Sequence, residues 1–223
     1  MAKEWAGSAV RPRGWARCRA LLDAAAVLFV KKGFAATSLS DVLRQAGGSR
    51  TTLYRHFGDK EGLFRAMVEE HCARFLAGMG DAPEKPRAGD TEDAEARLTR
   101  FGLHIARTLA APETMAILRT LIAEGGRVPD LVEAFFRIGP DRSDARLAGC
   151  FRDLARAGHL RVADPDTAAR AFGGMVVGPL LLKRLIRPDA PTAPEEVEAY
   201  VRACVRMFLR GIGPGAAPPP ANH

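Results

Sequence analysis

Two adjacent glycines, Gly47-Gly48, stand between two short amphipathic segments that each open on their own cap. Ser38-Leu39-Ser40-Asp41 fits the S-x-x-D capping pattern, with Ser38 as the cap, Asp41 at the third helical position and a helix running to about Ala46. Ser49 is a natural cap for a following helix that ends near Phe57. The glycines between them leave the backbone free to turn sharply. The stretch Thr37 to Lys60 therefore reads either as a helix-turn-helix or as a plain helical hairpin, and the rest of the chain has to decide between them.

Spacing on the second of these helices separates two faces. Leu53 and Phe57 are i, i+4 partners and point inward, whereas Thr51 and Arg55 fall on the outward face with Thr52 and Tyr54 flanking it. An apolar inner face with Arg50, Thr51, Thr52, Tyr54 and Arg55 outside suits insertion into a DNA major groove. Arginines at 50 and 55 can pair bidentately with guanine or with phosphate, and Thr52 and Tyr54 can donate to phosphate oxygens. Lys60 opens the next helix, where free N–H groups already favour an anion.

Charge supports the nucleic-acid reading over the hairpin. The formal net charge is +7. Residues 1–57 hold ten Lys or Arg against three acids, while the remaining 166 residues hold 23 of each sign. A generic solubilising surface would spread its charge, whereas a positive field confined to one quarter of the chain is the footprint of a polyanion partner.

The other elements are predicted from periodicity and punctuation. Residues 1–13 read as a basic, flexible arm. A first helix from about Gly14 to Lys32 places Cys18, Leu21, Leu22, Ala25, Leu28 and Phe29 on one face. A connecting helix over 61–80 carries Phe64, Met67, Val68, His71 and Phe75 along one side, with His71 read as a core residue rather than a ligand. Residues 81–90, DAPEKPRAGD, read as a linker and 213–223 as a disordered tail. Between them, residues 91–212 are punctuated by Pro and Gly into helices near 91–110, 112–124, 129–138, 142–157, 165–187 and 194–210. No run of alternating β-branched residues predicts a sheet, so the fold class is all-α.

Four scattered cysteines (Cys18, Cys72, Cys150, Cys204) without a CxxC fit reduced structural thiols. No apolar signal core is expected at the N-terminus, and the longest apolar run, Ala171 to Leu182, is too short to cross a bilayer. A cytoplasmic location is expected.

The motif GFAATSLSDVLRQAGGSRTTLYRHFGDKEGLF resembles the tetracycline-repressor (TetR) family of bacterial transcription regulators. The similarity covers roughly Gly14 to Val68. It rests on Gly33-Phe34, Thr37-Ser38, Ala46-Gly47, Thr52-Leu53-Tyr54, His56-Phe57 and Lys60. Two positions depart from the family pattern: Gly48 stands where a branched apolar residue is usual, and Thr51 where Gly or Ser is common. The resemblance implies a three-helix DNA-binding domain over 14–60, joined by the helix of 61–80 to a helical ligand-binding and dimerisation domain. Phosphate contacts are implied for Ser38, Thr52, Tyr54, His56 and Lys60, and base contacts for Arg50, Thr51 and Arg55, with Thr37 and Ser49 in the same DNA-contacting set. His56 fits equally well as a packed residue beside Phe57.

For the regulatory part, Arg119 to Pro140 looks like the AefR-like subgroup. The resemblance implies a repressor that binds a palindromic operator in double-stranded DNA as a homodimer, pairing through helices of about 142–157 and 166–187. It also implies release by a small-molecule effector in a cavity, for which Phe101, His104, Met115, Leu118, Phe135, Phe136 and Met175 are candidate lining residues. Ala168 to Ile186, apolar nearly all round, is expected to be buried on several sides, with Pro179 loosening one turn. Arg119 and Glu124 read as a surface ion pair. The competing classes are a ligand-independent DNA-binding protein and a helical enzyme or metal protein. Scattered histidines and the absence of GxSxG, P-loop and GxGxxG motifs argue against an enzyme, and no cofactor is expected.

Overall fold

The computed structural model describes residues 12–79, 94–187 and 193–212. The N-terminal arm up to residue 11, the linker 81–90 and the tail 213–223 lie outside the described residues. Among the described residues there are ten helices and no strand. In chain order these are α1 Pro12–Lys32, α2 Leu39–Ala46, α3 Arg50–Phe57, α4 Lys60–Gly78, α5 Ala94–Ala110, α6 Pro112–Glu124, α7 Pro129–Ile138, α8 Pro140–Arg156, α9 Pro165–Ile186 and α10 Pro194–Ile212. Six of them begin on proline, whose fixed φ is preorganised for a first helical turn and whose missing N–H would be unbonded there anyway. For the same reason α1 starts two residues before the expected Gly14, and residues 12–13 belong to the helix rather than to an arm.

The buried side chains fall into two clusters, and their division does not follow the expected domain boundary. The first joins α1–α4, through Leu21, Phe29, Val42, Leu53, Phe64 and Val68, to Ile117 and Leu121 of α6 and Leu131 of α7. The buried side of α4 is Leu63, Phe64, Met67, Val68, Cys72 and Leu76, so His71 and Phe75 lie at its edge. His71 shares a hydrogen bond of 3.0 Å with the Thr114 hydroxyl and lies 3.7 Å from the Glu113 carboxylate. Ion pairs Arg19–Glu70 and Arg74–Glu113, both at 2.8 Å, tie α1 to α4 and α4 to α6 at the surface.

The second cluster is built by α5, α8, α9 and α10 around the rings of Phe151, Phe172 and Phe208, whose centroids lie 5.3–6.5 Å apart. Each ring buried this way contributes about 1.5–3 kcal/mol relative to exposure, and the tilted and edge-on geometries add to that. Helices α5 and α10 approach closely at Gly102, where a Cβ would stand 2.7 Å from Val201 Cγ1. All four cysteines are buried and free, and burial pushes the Cys72 thiol up to about 11.

Helix α9 continues through Pro179. Proline has no N–H, so the carbonyl of Met175, four residues earlier, loses its helical donor. The Tyr200 hydroxyl of α10 donates to that carbonyl, and Cys204 Sγ lies 3.8 Å from it. The proline thus creates an acceptor that fixes α10 onto α9. One expectation for α9 is corrected here: Gly174, Gly178, Leu182 and Ile186 are solvent-exposed, the last two at 60% and 70%, so one face is uncovered.

Replacing Tyr200 with Phe is expected to cost about 0.5–1.5 kcal/mol, the worth of one hydrogen bond. The cost should shrink in a Pro179→Ala background, where residue 179 supplies the missing N–H. A double-mutant cycle by thermal denaturation reads this directly, and equal costs in the two backgrounds would dismiss the coupling.

Candidate nucleic-acid interface

The local sequence builds the reader from its caps. Ser38 Oγ accepts from Asp41 N at 3.1 Å while the Asp41 carboxylate accepts from Ser38 N at 3.1 Å, closing a capping box on α2. Helix α3 is capped by Ser49, whose Oγ accepts from Thr52 N at 3.2 Å and lies 3.0 Å from Thr52 Oγ1. Between them Gly47 and Gly48 both have positive φ, 69° and 121°. With ψ at 162°, Gly47 occupies a region that is essentially glycine-only. Position 48 cannot take the family's usual branched residue in this backbone without strain, which accounts for the departure noted above.

Leu53 and Phe57 hold α3 onto the first core, at 0% and 8% exposure. Its outer face presents Arg50, Thr51, Tyr54 and Arg55, with Thr52 and His56 half-buried at the edges. Arg50 reaches back to Ser40 Oγ at 3.3 Å, and Arg55 lies 3.5 Å from His56 Nε2. Arg17 of α1 runs beside the turn: a Cβ at Gly48 would be 3.8 Å from Arg17 Cδ. Arg17, Arg50 and Arg55 pair with no carboxylate among the described residues. All three are exposed, as is Tyr54, and the arginines carry unneutralised positive charge. Sequence spacing missed Arg17 because it lies on another helix, and only its place in the charge count marked it.

Four of the expected residues are engaged within the protein. Thr37 is 2% exposed and its hydroxyl donates to the Gly33 carbonyl at 2.8 Å, so it closes the α1–α2 turn and presents no surface to a ligand. Ser38 and Ser49 are exposed, but both spend their hydroxyls on caps. Lys60 donates to the Ala35 carbonyl at 3.1 Å and lies 4.4 Å from the Phe34 ring centroid. Burial lowers the pKa of its ammonium from the ordinary value, and it clamps α4 to the α1–α2 turn.

The seven residues expected to line a ligand cavity are not brought together. Phe101 lies in the second core, Phe136 is 50% exposed, and Phe135 stacks edge-on against it. His104 lies flat on Phe75, with ring centroids 5.2 Å apart, and is hydrogen-bonded to its carbonyl. Leu118 and Met175 are half-buried. Met115 alone lines the large cleft of about 630 Å³ between α1 and α6. The same cleft is bordered by Arg119 and Glu124, which do not pair with each other; Glu124 meets Arg127 at 3.5 Å and Arg119 meets the Arg184 carbonyl at 3.4 Å. Among the described residues no cluster of three or more His, Cys, Asp or Glu could hold a metal, and no helix is long and apolar enough to cross a membrane.

With that geometry in place, three comparisons converge. The family model of bacterial regulatory proteins of the tetR family matches residues 21–67, and that of the C-terminal domain of AefR-like transcriptional repressors matches residues 96–213. The chain is 47% identical to the transcriptional repressor ComR of Escherichia coli over 58 residues, 26% of this chain and 28% of that protein. It is 32% identical over 194 residues to the regulator YvkB of Bacillus subtilis, covering 86% of this chain and 95% of that one. A TetR-family regulator structure from Mesorhizobium loti superposes with a TM-score of 0.81 at 27% identity, covering 91% of this chain and all of that one.

Replacing Gly47 with Ala is expected to cost about 1–3 kcal/mol, because no L-residue occupies its backbone conformation without strain; thermal denaturation measures this. Asp41 gives a pH signature. Hydrogen bonds from the Ser38 backbone and side chain hold its carboxyl below the ordinary 3.8. A depressed folded-state pKa stabilises fully above 3.8, and that contribution is lost as pH falls through the lower value. Carboxyl NMR titration should show the Asp41 value rising in Ser38→Ala.

Proposed function

The chain belongs to the TetR family of bacterial regulatory proteins and is a DNA-binding transcription regulator; from that premise we propose that it is a repressor acting as a dimer on a palindromic operator and released by a small effector. The observation that carries the DNA contact is the outer face of α3, where Arg50, Thr51, Tyr54 and Arg55 are exposed and the arginines lack carboxylate partners. Arg50 and Arg55 read base edges in the major groove, while Tyr54, Thr52 and Arg17 fix the register on phosphates. Thr37 closes the α1–α2 turn and Lys60 holds α4 to it, with Ser38 and Ser49 aiming two helix N-termini at the backbone.

The dimer is supported by the uncovered side of α9. Small residues Ala171, Gly174 and Gly178 followed by Leu182 and Ile186 make an exposed stripe next to α8, its closest helical neighbour. Exposed large apolar side chains on a long helix call for a partner, and a two-fold dimer sets two reading heads one helical turn of DNA, or a multiple, apart. Effector release acts by population shift: a ligand that prefers a conformation with misplaced heads lowers operator affinity by its differential affinity for the two states.

Two measurements test this. On an operator selected from a random duplex pool, Arg55→Ala should cost about 1–3 kcal/mol and relax specificity at one position, and wild-type affinity should fall with salt by about 0.9 in log–log slope per neutralised phosphate. A flat salt response would exclude the groove-reading role. In sedimentation at micromolar concentration the chain should run at twice its 24.0 kDa mass, and Leu182→Glu should run as a monomer; a wild-type monomer refutes the α8–α9 interface.

A further inference from the structure

A large cleft lies not inside the regulatory core, where the candidate lining residues were expected, but between α1 with the loop after it, α6 and the end of α9. Its volume of about 630 Å³ is that of a small-molecule site. One wall belongs to the C-terminal turn of α1 and the loop after it, through Phe29 and Phe34. The opposite wall is α6, through Met115 and Ala123, and the end of α9 closes it at Arg184.

The polar groups of this cleft are unusual. Arg119 is exposed at its edge and makes only one long hydrogen bond, to the Arg184 carbonyl at 3.4 Å. Arg184 donates one terminal nitrogen to the Ala110 carbonyl at 2.8 Å, but its Nε is fully buried and has no hydrogen-bond partner. The other terminal nitrogen of Arg184 donates to no described residue and can make a charge-assisted hydrogen bond to an anion. Neither arginine faces a free carboxylate: Glu124, the acid that lines the cleft, is engaged with Arg127. Lys32 adds a third positive charge at the rim, paired with Asp41 only at 3.8 Å.

We propose that this cleft binds a small organic anion, its carboxylate or sulfonate held by Arg119 and Arg184 and its apolar body lying between Phe34 and Met115. Charge complementarity selects the acid group and the aromatic and thioether walls select the body. Since α1 and its loop belong to the head while α6 and α9 belong to the body, an occupant acts as a strut across the joint. It sets how α1 lies on α6, the two helices that share Phe29, Ile117 and Leu121 in one core. The site itself stands on the cleft alone; its regulatory consequence rests on the repressor reading above.

The test uses the full-length chain and 1-anilinonaphthalene-8-sulfonate, an aromatic sulfonate that fluoresces when bound. The expected result is one site per chain, with affinity reduced at least tenfold in Arg119→Gln and in Ala123→Trp, which fills the cleft from an exposed position. Octanoate should displace the probe and 1-octanol should not. Circular dichroism confirms that both variants are folded, so loss of binding is not loss of structure. Absence of binding, or wild-type affinity in both folded variants, overturns the site. Operator affinity without probe, measured in parallel, should be within threefold of wild type in both variants. Failure of the probe-free chain to bind any selected operator overturns the regulator reading and leaves the site unaffected. If the probe binds but operator affinity is unchanged, the site stands and its regulatory role falls.

Discussion

The molecule depends on one buried ring. Phe64 of α4 is fully buried, tilted against Phe34 at 5.2 Å and edge-on to Phe29 at 5.8 Å. Those three rings gather the end of α1, the loop after it and the start of α4 at a single point. Ile117, Leu121 and Leu131 come down on the same cluster from α6 and α7. The reading head therefore has no sealed core of its own; its floor is part of the regulatory half. Close-packed interiors have little slack, and α1, α6 and, through Leu53 and Phe57, α3 all rest on this one core.

A second device organises the far side. Pro179 frees a carbonyl within α9, and Tyr200 takes it, which fixes α10 on one side of that helix. Burial, and then the hydrogen bond with Cys204, push the Tyr200 phenol up to about 12. With α10 and α5 covering one side of α9 and α8 another, the remaining stripe of small residues, Leu182 and Ile186 is left to solvent. The helix that looked buried all round in the sequence is thus a helix with one face in reserve. Hydropathy records only that a residue favours burial, not which surface buries it.

Much of the reading head was legible because its signals are local. A cap and its third residue, a positive-φ glycine pair and an i, i+4 apolar pair all act within eight residues, so Ser38, Asp41, Gly47, Ser49, Leu53 and Phe57 take the roles that their spacing predicts. Thr37 broke the pattern because its hydroxyl finds Gly33 O and Leu28 O in the preceding helix, a pairing that depends on how the loop folds back. Arg17 escaped notice for the converse reason: it reaches the α2–α3 turn from α1, thirty-one positions before Gly48. The candidate lining residues are spread over the cores and the surface, since Met and Phe at helical spacing mark a face, and a face serves a core as well as a cavity.

The sequence by itself determined the all-helical class, the helix boundaries to within a few residues, the cationic head and the face that α3 turns outward. Those properties follow from 3.6-residue periodicity, capping and charge, which need no distant partner. Only the tertiary structure decided that α6 and α7 share the head's core, that α9 keeps an open face, and that Arg119 and Arg184 meet across a cleft. These are contacts between positions far apart in the chain, and no local pattern encodes which helix faces will meet.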